Sequence, residues 1–215
     1  MNEIIYKIDG VDLLSLGVNV ASSTGVIDKL SLKGVVKTSH PSEHGEDVDL
    51  SDYRYNTRKL SFKCWMVAED NADMIRKQEK IAGLIGKSRL IRLEILPERF
   101  TPLVFDVYCD SGIAFIKEWN QEGEMMTEFT LNLIEPQPVK KVFVTYSPYV
   151  SLIQTNSETP LQISWGDGTF EKYCFNSTHA HPYTDGKKKH YIIVSGVLTP
   201  NSITISPKLI CSVLE

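Results

Sequence analysis

The chain has 215 residues, 42% of them hydrophobic and 23% charged, with a formal net charge of −4. That composition argues against long disorder, and the length allows one large domain or two small ones. Residues 139–215 carry seven lysines against five acids, and the first 138 residues hold the acidic excess, so neither part offers the basic surface that specific nucleic-acid binding needs.

No apolar run approaches the roughly 20 residues that span a bilayer, so no membrane insertion is expected. Met1 to Lys7 lacks a basic segment followed by an apolar one, which predicts synthesis for the cytosol. Ile4, Tyr6 and Ile8 alternate up to the hairpin signal Asp9-Gly10, and Leu16, Val18 and Val20 alternate again. A weaker strand is expected within residues 28–38. The polar stretch from His40 to Asp49 has no period and reads as a long loop or arm, a length that is often functional or interface-forming.

The next strand is strong. Leu60, Phe62, Cys64 and Met66 share one face, with Lys59, Ser61, Lys63 and Trp65 on the other. Residues 70–86 read as the one helix, capped by Asp70 or Asn71, with Met74, Ile75, Ile81, Ala82 and Ile85 as its apolar stripe and Gly86 as its stop. Four alternating strands follow, at 91–95, 103–109, 113–119 and 129–133. Glu135-Pro136-Gln137-Pro138 cannot continue a central strand, because proline has no amide hydrogen to donate. A domain boundary is therefore expected between residues 1–138 and 139–215, the second a compact all-β body with strands at 142–146, 161–165, 170–175, 191–194, 203–205 and 209–214.

The most specific local signal lies in that second body. Trp165-Gly166-Asp167-Gly168-Thr169 follows the strand Leu161 to Ser164 and demands a turn of small or left-handed-tolerant residues. With His181-Pro182-Tyr183 downstream, it resembles the PKD-like immunoglobulin-type β-sandwich, a module that binds or spaces. Asp167 is expected to cap backbone amides of the turn, with His181 hydrogen-bonding toward it.

The first body has its own grammar. It opens with Tyr6-Lys7-Ile8-Asp9-Gly10 and Leu16-Gly17-Val18. It continues through His44-Gly45-Glu46-Asp47-Val48-Asp49-Leu50 and Tyr55-Asn56-Thr57-Arg58-Lys59-Leu60-Ser61-Phe62-Lys63-Cys64. It closes with Glu128-Phe129-Thr130-Leu131-Asn132-Leu133-Ile134-Glu135-Pro136-Gln137-Pro138. In order and spacing, residues 3–138 resemble the N-terminal domain of phage and prophage distal tail proteins. The resemblance implies a mainly β chain: a sandwich or barrel with one flanking helix, related to tail-tube subunits, followed here by the PKD-like sandwich. It implies a virion structural role at the tail tip, as a ring, usually a hexamer, that joins the tail tube to baseplate or receptor-binding proteins. It also places an inter-subunit arm at 40–52, including Pro41, Glu43, His44, Gly45, Glu46 and Asp47.

Asp167, His179, His181 and Asp185 form a polar constellation whose favoured role is structural, since calcium needs more carboxylates than this loop offers. His40, Glu43, His44, Glu46 and Asp47 match no zinc-protease spacing and read as a solvated arm. Cys64, Cys109, Cys174 and Cys211 never fall in a C-x-x-C spacing, and free thiols are expected rather than a zinc or redox motif. Lys187 to Lys189 read as a solvated strand edge. Trp119, Tyr146, Tyr149, Tyr173 and Tyr183 could together offer a stacking platform for a ligand such as a host glycan, but Trp119 and Tyr183 read as core or corner residues. The loop pair Tyr146 and Tyr149 is the one candidate for ligand contact, with protein contact the favoured role of surface aromatics. No nucleophile elbow, Walker loop, dinucleotide fingerprint or H-E-x-x-H is present. The expectation is a structural protein without cofactor or metal, not an enzyme. The alternative is a bacterial adhesion or glycan-binding protein that uses the PKD-like module.

Overall fold

The computed structural model describes residues 4–119, 125–147, 150–186, 188–199, 201–205 and 208–213. The chain is mainly β, with one α-helix and several antiparallel sheets. The elements up to the proline pair are β1 (Ile4–Ile8), β2 (Val11–Asp12), a 3-10 turn (Leu14–Leu16), β3 (Val18–Thr24), β4 (Leu32–Lys33), β5 (Val36–Thr38), β6 (Asp47–Asp49), β7 (Arg54–Tyr55), β8 (Arg58–Ala68), α1 (Asn71–Ile85), β9 (Ile91–Pro97), β10 (Leu103–Val107), β11 (Ile116–Trp119) and β12 (Met125–Glu135). Beyond it lie β13 (Lys140–Tyr146), β14 (Val150–Thr155), β15 (Leu161–Ser164), β16 (Phe170–Cys174), β17 (Ser177–Pro182), β18 (Lys189–Ser195), β19 (Ile203–Ile205) and β20 (Lys208–Val213).

The first body is a pair of four-stranded sheets, β10-β9-β1-β2 and β11-β12-β8-β3. Its spine is the antiparallel pairing of β8 with β12, in which Cys64 stands opposite Phe129 and Leu60 opposite Leu133. Period-two alternation puts Leu60, Phe62, Cys64 and Met66 into one core with Phe129, Leu131 and Leu133, while Lys63 and Trp65 face out. Burying each of these larger side chains contributes about 1.5–3 kcal/mol. A bridge between Tyr108 and Ile134 ties the two sheets together along one side.

Helix α1 covers this core. Its N-cap is Asp70, whose carboxylate accepts the Asp73 N–H at 2.6 Å. The buried face differs from the expected stripe: Met74, Ile81 and Ile85 pack inward, whereas Ile75 and Ala82 face solvent. Both outward residues sit one position beyond a buried one, so the core-facing stripe is narrower than the apolar composition suggests. Gly86 ends the helix without a left-handed turn (φ −78°) and donates its N–H to Ala82 O at 2.8 Å.

The second body packs a five-stranded sheet, β16-β15-β18-β13-β20, on a three-stranded one, β17-β14-β19. Phe143, Ile153, Ile163, Trp165, Cys174, Ile192 and Val194 form the core between them. Strands β14 and β17 lie outside the strands that the sequence pattern predicts. Ser177–Pro182 is polar, lies at a sheet edge and ends in proline, which suits an edge but gives no apolar alternation.

Strand β18 explains how the bodies meet. Tyr191, Ile192, Ile193 and Val194 are all buried. Ile192 and Val194 enter the second core, while Tyr191 and Ile193 join Val104, Val142 and Val144 in a separate cluster fed from both sides of the proline pair. A strand covered on both faces reads as a continuous apolar run. Two buried cations reinforce the junction. Arg92 binds Asp106 through its Nε (2.7 Å) and donates to Ser164 Oγ (2.6 Å) and to the Tyr191 carbonyl. Lys140 donates to Val104 O (2.6 Å) and to Glu135, lies 4.0 Å from the centre of the Phe105 ring, and shares Glu135 with Arg58. Burial pushes the Glu135 carboxyl up and the Lys140 ammonium down from their ordinary values.

Candidate functional site

The arm rises from a rigid root. Gly25 has φ +82°, and a Cβ there would stand 1.9 Å from Lys59 O, so only glycine fits. Arg58 Nη1 donates to the Gly25, Val26 and Asp28 carbonyls at 3.1–3.3 Å. Asn56 binds back to Ser31 O and Leu32 O at 2.9 and 2.8 Å. Residues 40–46 are irregular, as a loop or arm would be, while residues 47–49 form β6; β4 and β5 fall within the strand expected at 28–38, with β4 paired to β7 and β5 to β6. Pro41, Glu43, His44, Gly45 and Glu46 form the exposed tip of this ribbon, and Asp47 begins β6. Strands β5 and β6 have solvent on both faces, so no apolar period marks them, whereas Tyr55 of β7 is half-buried against the second core. Lys37 and Glu46 pair across the ribbon at 3.2 Å. Ile27 (83% exposed), Val36 (64%), Val48 and Leu50 display apolar surface along this arm.

The turn after β15 has the expected geometry at atomic distances. Gly166 and Gly168 have φ of +91° and +95°. A Cβ on Gly166 would lie 2.5 Å from Tyr191 O. Asp167 Oδ1 accepts from the Thr169 N–H (3.0 Å) and hydroxyl (2.5 Å), and its Oδ2 lies 2.7 Å from His181 Nε2. Burial raises the Asp167 carboxyl, but these donors more than offset it and hold it below its usual value. Trp165 is fully buried, stacks on His181 at 4.9 Å, and accepts the Tyr183 hydroxyl at its carbonyl at 2.8 Å.

The polar constellation does not converge on one point. His181 pairs with Asp167, His190 with Asp185 at 3.0 Å, and His179 with Glu171 at 2.7 Å. Glu171 and His190 were absent from the expected set. Of the possible ligand-contact pair, Tyr146 is exposed at the end of β13, and Tyr149 lies outside the described residues. The Trp119 side chain is likewise outside them, as is Lys187. Lys188 pairs with Asp185 at 3.4 Å, and Lys189 lies over the Tyr191 ring. Cys64, Cys109 and Cys174 are free thiols.

A polar cleft of about 370 Å³ opens between the bodies, lined by Asp9, Arg89, Arg92, Glu94, Asp167 and His190 among others. Its one neutral hydroxyl anchor, Ser164, accepts from the Arg92 guanidinium, which cannot take up a proton as a base would. Asp9 is clasped by Lys87 (2.5 Å), Arg89 (2.7 Å) and the Arg92 N–H (2.8 Å). No helix among the described residues is long and apolar enough to cross a membrane.

No family model matches the chain, and no curated protein does. Among solved structures it is similar to the Dit protein of phage SPP1, described as a paradigm of the hub adsorption apparatus in phages infecting Gram-positive bacteria. The match has a TM-score of 0.52 at 12% identity and covers 90% of this chain and 98% of that one. The likeness is one of fold, and it runs through both β bodies.

Proposed function

We propose that this chain is a structural subunit of a phage or prophage tail tip. The observation that carries the reading is the full-length likeness of its two-body fold to a hub adsorption protein, at a coverage that leaves little of either chain unmatched. The exposed ribbon arm with a fixed root supports it, because a projecting arm with apolar side chains serves contact rather than catalysis.

In this reading residues 1–138 form a ring, a hexamer in the simplest case, through head-to-tail contacts that close by rotation. The arm bridges neighbouring copies. Residues 139–215, a PKD-like module, project toward baseplate or receptor-binding proteins, or toward a host glycan through the surface around Tyr146. The ring links these parts to the tail tube, and the chain works within the virion. Native mass spectrometry of the full chain tests the assembly: one dominant closed multiple of the 24.3 kDa subunit is expected. A monomer that persists when the tail-tube partner is added overturns the reading.

A further inference from the structure

We propose that Glu171, Cys174 and His179 form a binding site for a zinc-type divalent cation at the edge of the second sandwich. The carboxylate, thiol and imidazole ligand atoms all lie within 4.8 Å of one another. Carboxylate, sulfur and imidazole nitrogen are the donor types zinc takes, and three protein ligands leave one coordination position for water.

The backbone builds this convergence by a bulge. Leu161 pairs with Cys174 and Ile163 with Glu171, so one residue of β15 faces two of β16. Tyr173 occupies the bulge with φ +61°, a conformation uncommon for a non-glycine residue. In a regular strand, residues three apart face opposite sides. The bulge turns Glu171 and Cys174 to the same side and leaves the Tyr173 ring 76% exposed. His179 arrives from β17, on the other sheet, after the chain crosses between them.

The surrounding hydrogen bonds suit an occupied site. Glu171 Oε1 accepts from Trp165 Nε1 at 2.9 Å, which leaves Oε2 directed at His179 Nδ1, 2.7 Å away. His179 Nε2 lies 2.8 Å from Ser177 Oγ. A cation entering between Oε2 and Nδ1 keeps both outer bonds. Tetrahedral zinc spaces such ligands about 3.3 Å apart, so the pair opens by roughly half an ångström. The imidazole proton moves from Nδ1 to Nε2 and is donated to Ser177 Oγ, an outer-sphere contact of the kind that orients metal-bound histidines. Cys174 gives up its thiol proton to solvent and binds as thiolate, so one proton is released per ion. Glu171 is the partly exposed ligand and marks the entry side.

Titration of the full chain with cobalt(II), as a spectroscopic stand-in for zinc, tests this. One equivalent is expected, with a thiolate-to-cobalt absorption band and the intense visible bands of tetrahedral cobalt. Cys174→Ser should abolish the thiolate band, His179→Gln should weaken binding by more than tenfold, and Ser177→Ala by about tenfold. Cys109→Ser and the His40→Ala/His44→Ala double variant should bind as the parent does. No thiolate band in the parent, or a band that survives Cys174→Ser, overturns the proposal. The parent spectrum decides the matter even if Cys174→Ser fails to fold. Ring assembly is not part of the readout, so a failure here leaves the tail-tip reading standing.

Discussion

Asp167 and Asp9 show how single carboxylates organise this chain. Each is held by donors from elements distant in sequence: His181 for the first, Lys87 and Arg89 for the second. Asp167→Ala removes two turn-closing bonds and the His181 partner, and should lower stability by about 1 kcal/mol or more in a denaturant titration. An unchanged midpoint would show that the two glycines alone hold the turn. Burial raises the Asp9 carboxyl, but Lys87, the Arg92 N–H and Arg89 more than offset it, so its folded value is depressed. Its contribution is therefore complete above the unfolded carboxylate range and fades as pH falls through the folded value. Asp9→Asn should flatten the dependence of stability on pH below about pH 4. The Gly-Asp-Gly turn was readable in the sequence, because few residues tolerate those dihedrals. The Glu171–His179 pair was not, since a bulge and a crossing between sheets separate what the fold brings together.

At the scale of elements, legibility followed solvent. Strands β8 and β12 have one wet and one dry face, so their alternation was plain. Strand β18 is dry on both faces and shows as the apolar run Tyr191 to Val194, whereas β5 and β6 are wet on both, so β5 gives only a weak signal within residues 28–38 and β6 reads as part of the loop at 40–49. Helix α1 was legible in extent and cap but not in the aim of its stripe. Its inner surface contains Gln78, whose Nε2 is buried with no hydrogen-bond partner among the described residues. Gln78→Met keeps the length of the side chain and removes that donor, so a gain of about 1 kcal/mol is expected in the same titration. A loss would mean that the amide has a partner. Deleting residues 41–50 removes the arm tip and β6 but leaves β4, β7 and the Arg58 and Asn56 root bonds. The shortened chain should keep its circular dichroism spectrum and melting temperature yet fail to assemble. Unchanged oligomer mass would remove the arm from the interface.

Across the whole molecule, two sandwiches meet over an apolar cluster and are cross-bonded by Arg92 and Lys140. Such buried charges are costly unless fully partnered; Arg92 bonds to Asp106, Ser164 and Tyr191, and Lys140 to Glu135 and Val104. The orientation of the second body against the first is therefore defined by specific bonds as well as by burial. In the proposed ring, this arrangement would hold the outer surface of the second body at a fixed angle. The tail-tip role proposed here requires the chain to assemble. Electron microscopy of the concentrated full chain tests it most directly. Annular particles with cyclic symmetry and an open centre are predicted; a uniform field of single 24.3 kDa particles, with or without the tail-tube partner, would contradict the account.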